Sequence, residues 1–145
     1  MHLDDFVPYR LNIIAELMSR RVMPVYRDSE GMTRPEWRVL AHLARLGTAT
    51  AKELGTASAM HKTKVSRALQ DLETRRWIKR TKSEDDRRFN QVAITPVGRK
   101  AHDTIFPQMV ARSDEILADL APEERRTVEL ALTAFERVLD APSLR

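Results

Sequence analysis

Two stretches of this chain carry side chains suited to gripping a polyanion. Residues 61–76 hold Lys62, Thr63, Lys64, Ser66, Arg67 and Gln70, and Asp86-Arg87-Arg88 leads into the β-rich stretch 89–95. A lysine brings a point charge to phosphate oxygens, whereas a guanidinium can donate two parallel hydrogen bonds to a guanine edge or reach into a narrow groove. Asp86 can pair with Arg88 across a turn and hold that guanidinium extended. Thr50 and Lys82, which flank these stretches, complete the set of candidate DNA contacts, and Lys82 is suited to phosphate alone.

The spacing within residues 61–76 is helical. At about 100° per residue, Val65, Ala68, Leu69 and Leu72 share one side, and Thr63, Arg67, Gln70 and Thr74 share the other, flanked by Lys64 and Ser66. Any amphipathic helix has a solvated polar face, so that division alone decides little. The donors, however, sit in the N-terminal half, while Asp71 and Glu73 sit in the C-terminal half. A helix that enters the major groove by its first residues needs that gradient, and a hairpin with arginines at its tip can then reach the flanking minor groove. The pattern is that of a winged helix-turn-helix.

The elements that must position these groups can be read from caps and periods. Residues 6–23 are apolar at helical spacing, with Leu11, Ile14, Leu17 and Met18 on the stripe, and the helix is expected to end near Pro24. Thr33, with Pro35 and Glu36, opens the next helix, whose stripe is Trp37, Leu40 and Leu43 and whose stop is Gly47. Thr50-Ala51-Lys52-Glu53 is a capping box for a short helix to about Gly55. Residues 77–82 and 89–95 read as two strands around a wing. Two further helices follow, a long one kinked at Pro107 and a last one with Val128, Leu132, Phe135 and Leu139 on its stripe. Stripes on the terminal helices need cover, and a twofold dimer supplies it while matching a palindromic operator. The fold class expected is mainly α with a small β-wing: an N-terminal dimerisation helix and loop (1–32), a winged helix-turn-helix lobe (33–98) and C-terminal dimerisation helices (99–145), forming one intertwined domain.

Charge and composition agree with this. The net charge of +4 conceals +7 in residues 47–100, against +1 before and −4 after that segment. The basic charge lies in the third that holds the helix and the wing. With no cysteine among 145 residues, disulfides, thiolate zinc sites and cysteine nucleophiles are excluded. His2, His42, His61 and His102 show no metal-ligand spacing, and no glycine-rich phosphate loop or nucleophile elbow is present. The expectation is therefore a non-enzyme without a metal or cofactor. No stretch approaches the roughly 20 apolar residues of a membrane span, so a cytoplasmic location is expected.

The run Lys62 to Glu73, and Asp86-Arg87-Arg88 followed by Val92-Ala93-Ile94-Thr95-Pro96-Val97-Gly98, resemble the multiple antibiotic resistance regulator (MarR) family, as does the order of six helices and a wing. The resemblance covers nearly the whole chain. It implies a homodimeric cytoplasmic transcription regulator, usually a repressor, often released from DNA by a small aromatic or phenolic acid. It also implies that Thr63, Ser66 and Arg67 face bases and that Arg88, held by Asp86, enters the minor groove. Three positions depart from the family pattern. Arg76 stands where a glycine commonly ends the recognition helix, so the turn either holds a left-handed residue, costing about 1 kcal/mol, or is built differently. His61 replaces a frequent Asp, and Ala121 replaces a hydroxyl cap.

An effector pocket in this architecture is expected between the dimerisation helices and the DNA-binding lobe, with Tyr9, Met18, Trp37, Arg38 and His42 as candidates. Arg38 is the residue able to pair with a carboxylate. For most of the others the core reading is the stronger one, since Trp37 and Met18 are ordinary core residues on helical stripes. The competing reading of the chain is an architectural or protein-interaction module that uses a winged helix without sequence-specific regulation.

Overall fold

The computed structural model describes residues 2–82 and 90–142. After a single 3-10 turn at Leu3–Asp5, the order is α1 (Val7–Glu30), α2 (Arg34–Leu46), β1 (Thr48–Thr50), α3 (Ala51–Ser58), α4 (Lys62–Thr74), β2 (Ile78–Lys82), β3 (Asn90–Ile94), α5 (Pro96–Leu117) and α6 (Pro122–Val138). The chain forms two compact units, residues 1–109 and 110–145.

In the first unit, local signals set the helix ends. Thr33 and Thr50 each accept a hydrogen bond from the backbone N–H three residues on, and Glu36 and Glu53 return the bond to the cap N–H. Each box satisfies two otherwise orphaned donors. Gly31 (φ +65°) and Gly47 (φ +78°) end α1 and α2 in left-handed backbone that glycine adopts without a Cβ penalty. Two expected boundaries move. α1 continues through Pro24 to Glu30, because Met23, Val25 and the fully buried Tyr26 pack into or against the core and offset the hydrogen bond that proline removes. α3 runs past Gly55 to Ser58, whose hydroxyl donates to the Leu54 carbonyl.

The core gathers Leu40 and Leu43 of α2, Leu54 of α3, Val65, Leu69 and Leu72 of α4, and Ile78 and Val92 of the sheet. The sheet has three antiparallel strands in the order β1-β3-β2, with Ala49 opposite Val92 and Arg80 opposite Val92 on the other side. β1 was not apparent from sequence, since three residues are too few to display period two. Tyr26, Trp37, His102 and Phe106 form a continuous stack with ring centroids 5.9, 5.7 and 5.3 Å apart, which joins α1, α2 and the start of α5.

The turn after α4 is closed around Arg76. Its φ is +62°, so the left-handed alternative is the one adopted, and the Trp77 N–H donates to the Leu72 carbonyl. The Thr95 hydroxyl donates to the Arg76 carbonyl and accepts from the Gly98 N–H. Gly98 must be glycine, because a Cβ there would fall 2.1 Å from the Trp77 carbonyl oxygen.

In the second unit, α6 starts without a hydroxyl cap. Instead, the Ala121 N–H donates to the Glu124 carboxylate (2.8 Å), and Arg125 bonds Asp114 (2.8 Å). Val128, Leu132, Phe135 and Leu139 all stand exposed.

Candidate nucleic-acid interface

α4 divides by burial as its period requires. Val65, Ala68, Leu69 and Leu72 are buried; Lys62, Thr63, Lys64, Ser66, Arg67 and Gln70 are exposed. The helix opens on His61, whose Nδ1 accepts from the Thr63 N–H (3.2 Å), so an imidazole supplies the cap that Asp commonly gives. The N-terminal turn carries no acidic residue. Its free N–H groups and two lysines therefore present positive potential at the end suited to phosphate or base contact.

A tight connection fixes α4 relative to α3. Ala59 is left-handed (φ +52°), and the Ala59 and Met60 N–H groups return to the carbonyls of Thr56 and Gly55. Arg38 of α2 donates to the Ser58 carbonyl and so holds the C-terminal end of α3. At the far end of α4, Arg75 donates to the carbonyls of Glu30 and Gly31 (2.8 and 3.2 Å) and lies over the Trp77 ring. Both ends of the helix are tied to the scaffold.

Thr50 is half-buried and engaged in its capping box. Lys82 ends β2 opposite Asn90, at the base of the hairpin. Asp86, Arg87 and Arg88 lie outside the described residues.

A second feature of this unit is a cleft of about 410 Å³ between α1, α2 and Met109 of α5. Of the candidate effector residues it includes Trp37 and Arg38; Tyr9, Met18 and His42 are not among its lining. Burial, with the charges of Arg45 and Arg38 adding, lowers the His42 pKa, which favours a neutral imidazole. Sequence reasoning missed Glu16, Tyr26 and Arg34. Glu16 accepts from Arg34 (2.7 Å) and Arg20 (2.9 Å), and these bonds hold its carboxyl near a pKa of about 2. The same bond raises the Arg34 pKa, while burial raises that of the Tyr26 phenol against the opposing effect of Arg34. The Glu16/Arg20 spacing of four was a readable signal; the Arg34 partner, eighteen residues on, was not.

An exposed helix with a lysine-bearing first turn, held at both ends and followed by the β2–β3 hairpin of a three-stranded antiparallel sheet, is a winged helix-turn-helix. Residues 30–88 match the model of the MarR family. A curated relative in Bacillus subtilis (strain 168), the HTH-type transcriptional regulator YwoH, is 27% identical over 86% of this chain and 86% of its own length. A MarR-family transcriptional regulator from Silicibacter pomeroyi superposes with a TM-score of 0.74 at 24% identity, covering 93% of this chain and 90% of its own. BpsR of Bordetella bronchiseptica, solved in a study of how 6-hydroxynicotinic acid regulates its DNA binding, gives 0.74 at 19% identity, covering 88% and 98%. Residues 30–88 are thus similar to the MarR family, and the chain is similar over most of its length to an HTH-type transcriptional regulator.

Proposed function

We propose that the chain is a DNA-binding transcription regulator, a cytoplasmic, homodimeric repressor that binds a palindromic operator through paired α4 helices and leaves it when a small aromatic acid enters the α1–α2 cleft. The observation that carries the DNA reading is the exposure of the whole donor set on α4 while its apolar side is buried. Thr63, Ser66 and Arg67 are assigned to base edges, Lys62, Lys64, Gln70, Thr50 and Lys82 to the backbone, and Asp86, Arg87 and Arg88 to the wing contact.

The dimer reading rests on uncovered apolar faces. α1 exposes Tyr9, Ile13, Ile14 and Leu17, and α6 exposes Leu132, Phe135 and Val138. Each stripe is more apolar surface than an isolated helix keeps in water without a partner. Light scattering of the full chain is expected to give twice the chain mass. A monomer at micromolar concentration would remove palindromic recognition by paired helices.

The ligand reading rests on Arg38. Arg38 lines the cleft, and its guanidinium donates to the Ser58 carbonyl at the end of α3, the helix that leads into α4. A carboxylate in the cleft competes with the Ser58 carbonyl for those donors, so occupancy loosens the α3–α4 turn. That BpsR responds to a hydroxylated aromatic acid supports this ligand class. Gel-shift titrations with a panel of aromatic acids are expected to show release of DNA by wild type and loss of that response in Arg38→Ala. A panel without effect on wild type would refute the ligand class.

A further inference from the structure

We propose that His61 is a proton-operated latch at the start of α4: its protonation frees the first turn of the helix and lowers discrimination between DNA sequences, while attraction to the DNA backbone persists. Its Nδ1 accepts a hydrogen bond from the Thr63 N–H (3.2 Å), and its carbonyl accepts the Val65 N–H (3.2 Å). Only a ring nitrogen without a proton has the lone pair for the first bond, so the neutral ring carries its proton on Nε2. His61 is exposed, and among the described residues no other side chain is hydrogen-bonded or ion-paired to it. A proton on Nδ1 therefore competes directly with the cap.

The direction of the effect follows from the surroundings. An imidazole in ordinary surroundings changes charge between about pH 5 and 8, and the imidazolium donates at both nitrogens. Protonated, His61 has no acceptor for the Thr63 N–H and puts a positive charge on the positive end of the helix dipole. Nothing in the first turn offsets that charge. Lys62 and Lys64 follow the ring in sequence, and the first turn has no acidic residue, since Asp71 and Glu73 stand near the far end of α4. Lys52 of α3 and Arg80 of β2 stand with Lys62 around one hollow, and Glu53 of α3 is turned back on the Thr50 N–H. Acid therefore opens this cap, whereas the hydroxyl caps of Thr33 and Thr50 do not titrate.

The consequence for DNA rests on α4 being the sequence-reading helix; the latch itself does not. Lys62, Thr63 and Lys64 form the turn that His61 holds, and Ser66 and Arg67 follow directly. Reading a base edge needs donors in fixed positions, whereas attraction to phosphate needs only charge. The added proton brings one more cation to any duplex, so its charge cancels when two duplexes are compared. The loosened turn counts only against the duplex whose bases were being read.

The test is a nitrogen-15 NMR titration of the full chain between about pH 8 and pH 5.5, paired with affinity measurements over the same range. The duplexes are one selected from a random pool by the wild-type protein at pH 8 and its scrambled counterpart. At pH 8 His61 is expected to be the Nε2–H tautomer, and the Thr63 amide resonance is expected to move with the same midpoint as the His61 ring. The affinity ratio of the two duplexes is expected to fall about fivefold on acidification, which is the effect of losing one N-cap. His61→Asp keeps an ionised acceptor throughout that range and is expected to hold both the Thr63 resonance and the ratio constant. An Nδ1–H tautomer at pH 8, or a Thr63 resonance indifferent to the His61 midpoint, would overturn the latch. A pH-dependent ratio that survives in His61→Asp would move the effect to another group, such as His42 or His102, and overturn the role of His61. A constant wild-type ratio well above one, with Thr63 still following the ring, would overturn the coupling to DNA. A ratio near one at every pH would instead locate the fault in the reading of α4.

Discussion

The Nε of Arg75 lies 3.8 Å from the carboxylate of Glu36, one at the end of α4 and the other buried in the first turn of α2. Glu36 is also the return half of the capping box at Thr33, and Arg75 bonds the last carbonyls of α1. One guanidinium thus joins α4 to both helices that line the α1–α2 cleft. Arg75→Ala is expected to destabilise the fold by about 1–3 kcal/mol, since it strips a partner from a buried carboxylate and frees two helix-end carbonyls. Glu36→Gln keeps the box but removes the charge. Denaturant melts of the double-mutant cycle should show a smaller Arg75→Ala cost in the Glu36→Gln background; strict additivity would show that the two residues do not interact.

Arg76 occupies left-handed backbone that a glycine would enter without strain. Arg76→Gly is expected to raise stability by up to about 1 kcal/mol, the relief of strain exceeding the entropy added to the unfolded chain. The corresponding rise in Tm is about 2–4 °C for a chain of this size. A lower Tm would mean that the Arg76 side chain contributes more than its backbone costs.

Glu16 gives a pH dependence with a definite sign. Its folded pKa, about 2, lies below the ordinary glutamate value of 4.5, so the bonds to Arg34 and Arg20 stabilise the fold fully above that unfolded value. That contribution is lost as pH falls from 4.5 toward 2. Thermal melts of wild type and Glu16→Gln should differ at neutral pH and converge as acid is added. A difference that stays constant down to pH 3 would show that Glu16 is not ion-paired in solution.

What the sequence made legible was local. The boxes at Thr33/Glu36 and Thr50/Glu53 and the stop at Gly47 each depend on residues within one turn, and so does the division of α4 into buried and exposed sides. The strain at Arg76 was readable because a family pattern called for glycine there. The rest depends on partners distant in the chain. Pro24 sits inside α1 because Tyr26 is buried against Trp37, and β1 exists because Thr48–Thr50 pairs with β3. The cleft was only half visible: Trp37 and Arg38 stood out by type, whereas Arg34 acquires its meaning from Glu16.

That α4 reads sequence is tested most directly by the free energy lost on Arg67→Ala, measured on two duplexes. One is selected from a random pool by the wild-type protein, and the other is its scrambled counterpart. Arg67 stands exposed on the face opposite the buried Val65 and Leu69, where its two donors can meet a guanine edge. A loss of about 1–3 kcal/mol on the selected duplex, with little change on the scrambled one, is the expected result. Equal losses on both, or a pool from which nothing is enriched, would contradict sequence-specific recognition by this helix and leave a module that senses only the charge of DNA.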